Sequence, residues 1–115
     1  MITTKLIKNE TERIFELEAG SLESPSRVTA IVYARHAYWL AVLYFGFEPV
    51  HAGVAIDRDR ASSYNSITQS IYLCLTDAGY KKRVVELLKT LLPHEKTERI
   101  RHGVALYRCA VDAIL

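Results

Sequence analysis

Apolar residues recur along this chain at three- and four-residue spacing, the period of helices that bury one face. Over residues 4–17 the stripe is Leu6, Ile7, Ile14, Phe15 and Leu17, interrupted at Glu10 and Thr11. Gly20 and the serine-rich stretch 21–26, with Pro25, then break the pattern, and Ser26 is placed to cap the next helix. Residues 27–45 carry the clearest stripe: Val28, Ile31, Val32, Tyr38, Trp39, Val42 and Leu43. Ala34, Ala37, Leu40 and Ala41 make its other faces apolar too, so this helix is expected at the centre of the fold. Gly46 ends it. Residues 48–56 suit a short helix opened by Pro49, with Gly53 permitting close approach of a neighbour. The tetrapeptide Asp57, Arg58, Asp59, Arg60 predicts a polar turn in which Asp59 caps the long helix after it.

Residues 59–78 predict a long helix with a core stripe of Tyr64, Ile67, Ile71, Cys74, Leu75 and Ala78, stopped at Gly79. Residues 81–92 come next, with Val84, Val85, Leu88, Leu91 and Leu92 in register, until Pro93. A last stripe of Ile100, Val104, Tyr107, Val111, Ile114 and Leu115 predicts a helix over 97–115. The expectation is an all-α chain of about six helices. With only 5 glycines and 3 prolines, a turn-rich sheet protein is disfavoured.

Composition narrows the class. The chain has 115 residues, half of them hydrophobic and 24% charged, which suits one globular domain. The longest apolar run, 37–47, is far short of a membrane span, and the first residues lack a signal-peptide layout. A cytoplasmic protein is expected. Its two cysteines, Cys74 and Cys109, lie in apolar helical surroundings and read as buried thiols rather than a disulfide. The net charge of +2 is uneven: the first 24 residues are acidic, and residues 25–92 hold eight basic against five acidic side chains. That middle section permits a polyanionic partner.

Chemistry for catalysis is sparse. No phosphate-binding glycine loop occurs, and His36, His51, His94 and His102 show no metal-ligand spacing. No serine sits in a nucleophile elbow. Asp57 and Asp59, flanked by arginines, read as turn and cap residues rather than a catalytic pair. No enzyme activity, cofactor or metal is expected. Arg35 is anomalous: a cation inside an apolar stripe must be paired with a carboxylate or face a polyanion. The short helix, turn and long helix of 48–78 form a helix-turn-helix layout, in which the second helix presents its first residues to base edges in the major groove.

Several of these residues together resemble the C-terminal DNA-binding domain of the bacterial replication initiator DnaA, a Trp repressor-like helix-turn-helix. The family's recognition helix opens with Arg-Asp-His, two hydroxyl residues, Val, a variable residue and His or Asn. Here the run is Arg58, Asp59, Arg60, Ala61, Ser62, Ser63, Tyr64 and Asn65. Upstream, Ser26-Arg27 and Ala34-Arg35 stand at the spacing of the family's Ser-Arg and Pro-Arg pairs, and Phe15, Leu17, Leu22, Pro49 and Gly53 fit its remaining pattern. The similarity covers about residues 1–92. Arg60 replaces the family's histidine, Ala61 its first hydroxyl residue, Ser63 its valine and Ala34 its proline. The family's ATPase module is missing, and residues 93–115 are additional.

The resemblance implies a sequence-specific double-stranded DNA-binding protein, nucleoid-associated, acting by site occupancy in replication or transcription control. Arg35 would enter the minor groove and Arg27 contact the backbone. Asp59, Arg60, Ala61 and Ser62 would read bases, Arg58 would sit beside a phosphate, and Pro49 and nearby His51 would touch DNA. The alternative is a protein-interaction module of the same fold that binds a replication protein. The stripe of 97–115 must bury against something, and a homodimer through this helix is expected.

Overall fold

The structure, a computed structural model, describes residues 2–59 and 61–94. Within them it is all-α: α1 (Thr4–Ile14), α2 (Thr29–Tyr44), α3 (Pro49–Ala55), α4 (Ala61–Thr76) and α5 (Ala78–Leu91), followed by a 3-10 turn over Leu92–His94. The expected sixth helix, the Cys109 thiol and the homodimer contact all fall in 97–115, outside the described residues. No helix among the described residues is long and apolar enough to cross a membrane.

Three of the helices end in the same way, which explains why they are shorter than their apolar stripes. At each end one residue turns left-handed, and the adjoining N–H groups fold back onto carbonyls of the last turn. After α1 this residue is Glu16 (φ 57°), with Leu17 N–H on the Glu12 carbonyl at 2.8 Å. After α2 it is Gly46 (φ 84°), with Phe47 N–H on Val42 at 2.9 Å. After α3 it is Asp57 (φ 53°), with Arg58 N–H on Gly53 at 2.9 Å. Glycine takes this conformation freely and Asp tolerates it, whereas nothing in the Glu16 side chain favours it.

As expected, α2 is central, packing against α1, α3, α4 and α5. Ala34, Ala37, Tyr38, Trp39, Leu40, Ala41 and Val42 are all essentially inaccessible. Its most extensive partner is α4. Here the expected core stripe is corrected. Tyr64 is 58% and Leu75 72% exposed, and Ala78 is exposed as well. Ile67 and Cys74 of that stripe are buried as expected, and Ser63, Ser66 and Ser70 complete the buried face of α4. Small residues there face a helix rich in alanine and bring the two helix backbones close together. Such packing removes more atoms from water than a bulky residue could at that separation. The cost of burying the Ser70 hydroxyl is met by a 2.7 Å bond with Tyr80.

Two more expectations shift. The break between α4 and α5 falls at Asp77, whose carboxylate caps α5 by accepting the Tyr80 N–H at 3.1 Å, so Gly79 lies inside a helix rather than stopping one. Val28, not Ser26, holds the cap position of α2, and no side chain caps it there. The Ser26 hydroxyl accepts the Val28 N–H at 3.3 Å instead.

The connection between α1 and α2 has no regular structure of its own, yet it is pinned from two sides. The Glu12 carboxylate, 3% exposed, accepts the N–H groups of Gly20 (3.0 Å) and Leu22 (3.1 Å) and pairs with the Lys8 ammonium at 3.1 Å. Lys8 reaches Glu23 at 2.9 Å as well. On the other side stands Arg35, on α2.

Four groups make the fold sensitive to alkali. Burial pushes the Tyr38 and Tyr80 hydroxyls upward and the Cys74 thiol up to about 11. For Lys8, burial pulls down but the bonds to Glu23 and Glu12 outweigh it, and the ammonium is held above its ordinary value. In each case the fold prefers the protonated form. The stability they contribute is complete below the ordinary values, 9.0 for the thiol and 10.0 for the phenols, and drains away as pH climbs past them. Melting temperature is therefore expected to fall steadily above about pH 9. Tyr38→Phe should make that decline shallower, and a decline of unchanged slope would remove Tyr38 from the account.

Candidate nucleic-acid interface

α3 is followed by a turn over 56–59 and then by the longer α4, in the stretch where a helix-turn-helix is expected. Pro49 occupies the first turn of α3, where its missing N–H costs nothing. The end of α3 is locked to the turn through Gly53. A Cβ added there would stand 2.2 Å from the Arg58 carbonyl oxygen and 3.4 Å from the Trp39 ring. The close approach anticipated at Gly53 is thus made by the turn's own backbone and by α2. From α2, the Tyr38 hydroxyl donates to the Ala52 carbonyl, and Ile56 is completely buried beneath the turn. At the start of α4 the Asp59 carboxylate accepts the Ala61 N–H at 3.1 Å, the capping role expected of it.

The residues singled out from sequence divide into three groups. Arg27, His51, Asp59, Ala61 and Ser62 are exposed, and Pro49 is partly so. Arg60 lies outside the described residues. Arg35 and Arg58 converge on one place. Arg35 is 8% exposed and donates from Nε to Leu22 O (2.9 Å), from Nη1 to Ser26 O (2.7 Å) and from Nη2 to Ser24 O. Arg58, half-buried, donates from Nη2 to the same Ser24 carbonyl at 2.6 Å and from Nη1 to Asp57 O at 2.9 Å.

The carboxylate weighed as a partner for Arg35 is not what holds it. Its acceptors are main-chain carbonyls of the α1–α2 connection. Burial, then the nearby Arg58 charge, pulls its guanidinium below the ordinary value. The two cations share an oxygen with no carboxylate bonded to either among the described residues. Both guanidiniums keep a positive charge that neutral carbonyls do not cancel. Burial, followed by the charge of Arg35, likewise lowers His36, favouring its neutral imidazole. No group of three or more His, Cys, Asp or Glu among the described residues could hold a metal ion.

The outer face of α4 was not legible in the apolar stripe. Ala61, Ser62, Tyr64, Asn65, Thr68, Gln69 and Tyr72 all face solvent. The whole helix, Ala61–Thr76, contains no charged side chain. The signal available in the sequence was the stretch 62–69, in which every residue but Ile67 can hydrogen-bond, though this alone does not separate the exposed positions from buried Ser63 and Ser66. Beside it, Glu48, Pro49, Val50, Ala61 and Tyr64 line an open hollow of about 420 Å³ between α3 and α4. Val50 and Val54 stand exposed on α3, Val54 at 76%. Set against known protein families, curated proteins and solved structures, the chain matches none.

Proposed function

We propose that this protein binds double-stranded DNA through α3 and α4, with α4 as the recognition helix, and acts by occupying its site in replication or transcription control. The observation that carries this reading is the outer face of α4. It is an exposed, uncharged surface of small and hydrogen-bonding side chains, on a helix joined to α3 by a locked turn. Such a face can enter a major groove without repelling the phosphates on either side. Arg27 and the Arg35–Arg58 pair supply positive charge beside it. The resemblance to the DnaA C-terminal domain points the same way.

The test is gel retardation with duplexes selected from a random library, repeated across salt concentrations. Binding should favour a selected sequence and weaken steeply with salt, because each neutralised phosphate releases counterions. Arg27→Ala should weaken all duplexes alike and flatten the salt slope by about one unit. Arg60→Ala should cost about 1–3 kcal/mol and relax preference at one base pair. Duplexes bound without preference and without a salt slope would end the DNA reading.

A second reading has its own observation. Exposed Val50, Val54 and Tyr64 around the α3–α4 hollow make an apolar surface suited to a protein partner, such as a replication protein. Under that reading the retardation experiment fails while the fold stays intact.

A further inference from the structure

We propose that the body of α4 reads A·T base pairs in the major groove, through the paired amides of Asn65 and Gln69. This rests on the duplex-binding reading and adds the class of sequence recognised. The first support is what α4 lacks. Guanine is read in the major groove by Arg or Lys and cytosine by Asp or Glu, and Ala61–Thr76 contains none of these. Asp59, just before the helix, has its carboxylate engaged by the Ala61 N–H.

The second support is what α4 offers. Asn65 and Gln69 are both exposed and four residues apart, so they lie on one face. Their separation along the axis, about 6 Å, is close to two base-pair steps. Each amide matches adenine: its NH2 group donates to N7, and its oxygen accepts from the N6 amino group. No hydrogen bond within the described residues engages either amide.

The neighbouring hydroxyls, by contrast, are spent on the helix itself. Ser62 donates to Asp59 O at 3.0 Å, Thr68 to Tyr64 O at 3.0 Å and Thr76 to Tyr72 O at 2.9 Å. Of the side chains on the exposed face around Asn65, the two amides and the Tyr64 and Tyr72 hydroxyls are uncommitted, and of these only the amides carry donor and acceptor on separate atoms, as the adenine edge requires. Ala61 and Thr68 complete the match. A Thr whose hydroxyl is turned to its own helix presents its methyl outward, and methyl groups from Ala or Thr pack against the thymine C5-methyl. One surface thus carries partners for both halves of an A·T pair.

The experiment uses the full chain and sites selected from a random duplex library. Each site is then remade with its A·T pairs changed to G·C, and separately with 7-deazaadenine, which lacks the N7 acceptor. Wild-type protein should prefer the A·T site by about ten- to a hundredfold and lose about tenfold on 7-deazaadenine. Asn65→Ala with Gln69→Ala should erase both differences while leaving the salt slope and the helical circular dichroism unchanged, since neither side chain supports the fold. Salt-dependent binding in which the double variant keeps the wild-type A·T preference, or in which 7-deazaadenine has no effect, overturns the inference and leaves duplex binding standing. Failure of the wild type to bind any duplex ends the underlying reading, and this inference with it.

Discussion

Gly53→Ala is expected to lower stability by about 2–3 kcal/mol, although alanine in place of a helical glycine ordinarily adds up to ~1 kcal/mol. The sign reverses because of one contact. The new methyl would stand 2.2 Å from the Arg58 carbonyl oxygen, a backbone atom that cannot swing aside like the end of a side chain. Behind it, the Trp39 ring at 3.4 Å closes the other escape. The turn would have to lift away from α3, breaking the 2.9 Å bond from Arg58 N–H to Gly53 O and uncovering Ile56. For a domain of this size the loss corresponds to a melting temperature lower by roughly 10–20 °C. Under the proposed duplex-binding function, affinity should fall as well, even below the new melting point, because the turn sets the angle between α3 and α4. A variant that melts at or above the wild-type temperature would show that the turn is free to move.

Replacing Arg35 should cost more. Arg35→Met keeps much of the side-chain volume but removes all three donors from the carbonyls of Leu22, Ser24 and Ser26. Bonds from a charged donor are among the stronger ones, and acceptors left unpaired in a buried site carry a desolvation penalty. A loss of about 3–5 kcal/mol is expected, the range found when one partner of a buried charged interaction is deleted. Arg35→Lys should recover little, because a single ammonium cannot serve three carbonyls arranged around a planar fork. Urea unfolding measures the loss. Limited proteolysis should show new cleavage in the α1–α2 connection, which would keep only its ties to Glu12, Lys8 and Arg58. If Arg35→Met keeps its stability and loses only duplex affinity, the residue belongs in the minor groove, as the family resemblance implies.

Periodicity and composition were enough to establish the helical class, the central place of α2 and the position of the turn before α4. These features depend on spacing along the chain, which a sequence displays directly. The cap at Asp59 was legible for the same reason, since a carboxylate immediately before a helix acts on N–H groups two or three residues away. What the tertiary structure decided is the identity of partners distant in sequence. Leu75 and Tyr64 fit an apolar stripe as well as Ile67 and Cys74 do. Only the close seating of α4 on the alanine-rich α2 selects the serine face for burial and turns Tyr64, Tyr72, Asn65 and Gln69 outward. The partners of Arg35 were hidden for a different reason. Main-chain carbonyls are present at every residue, so no side-chain pattern marks which of them a buried cation will find. Gly53 was recognisable as a point of close approach, but that the approaching atom is the Arg58 carbonyl depends on how the chain folds back on itself after α3.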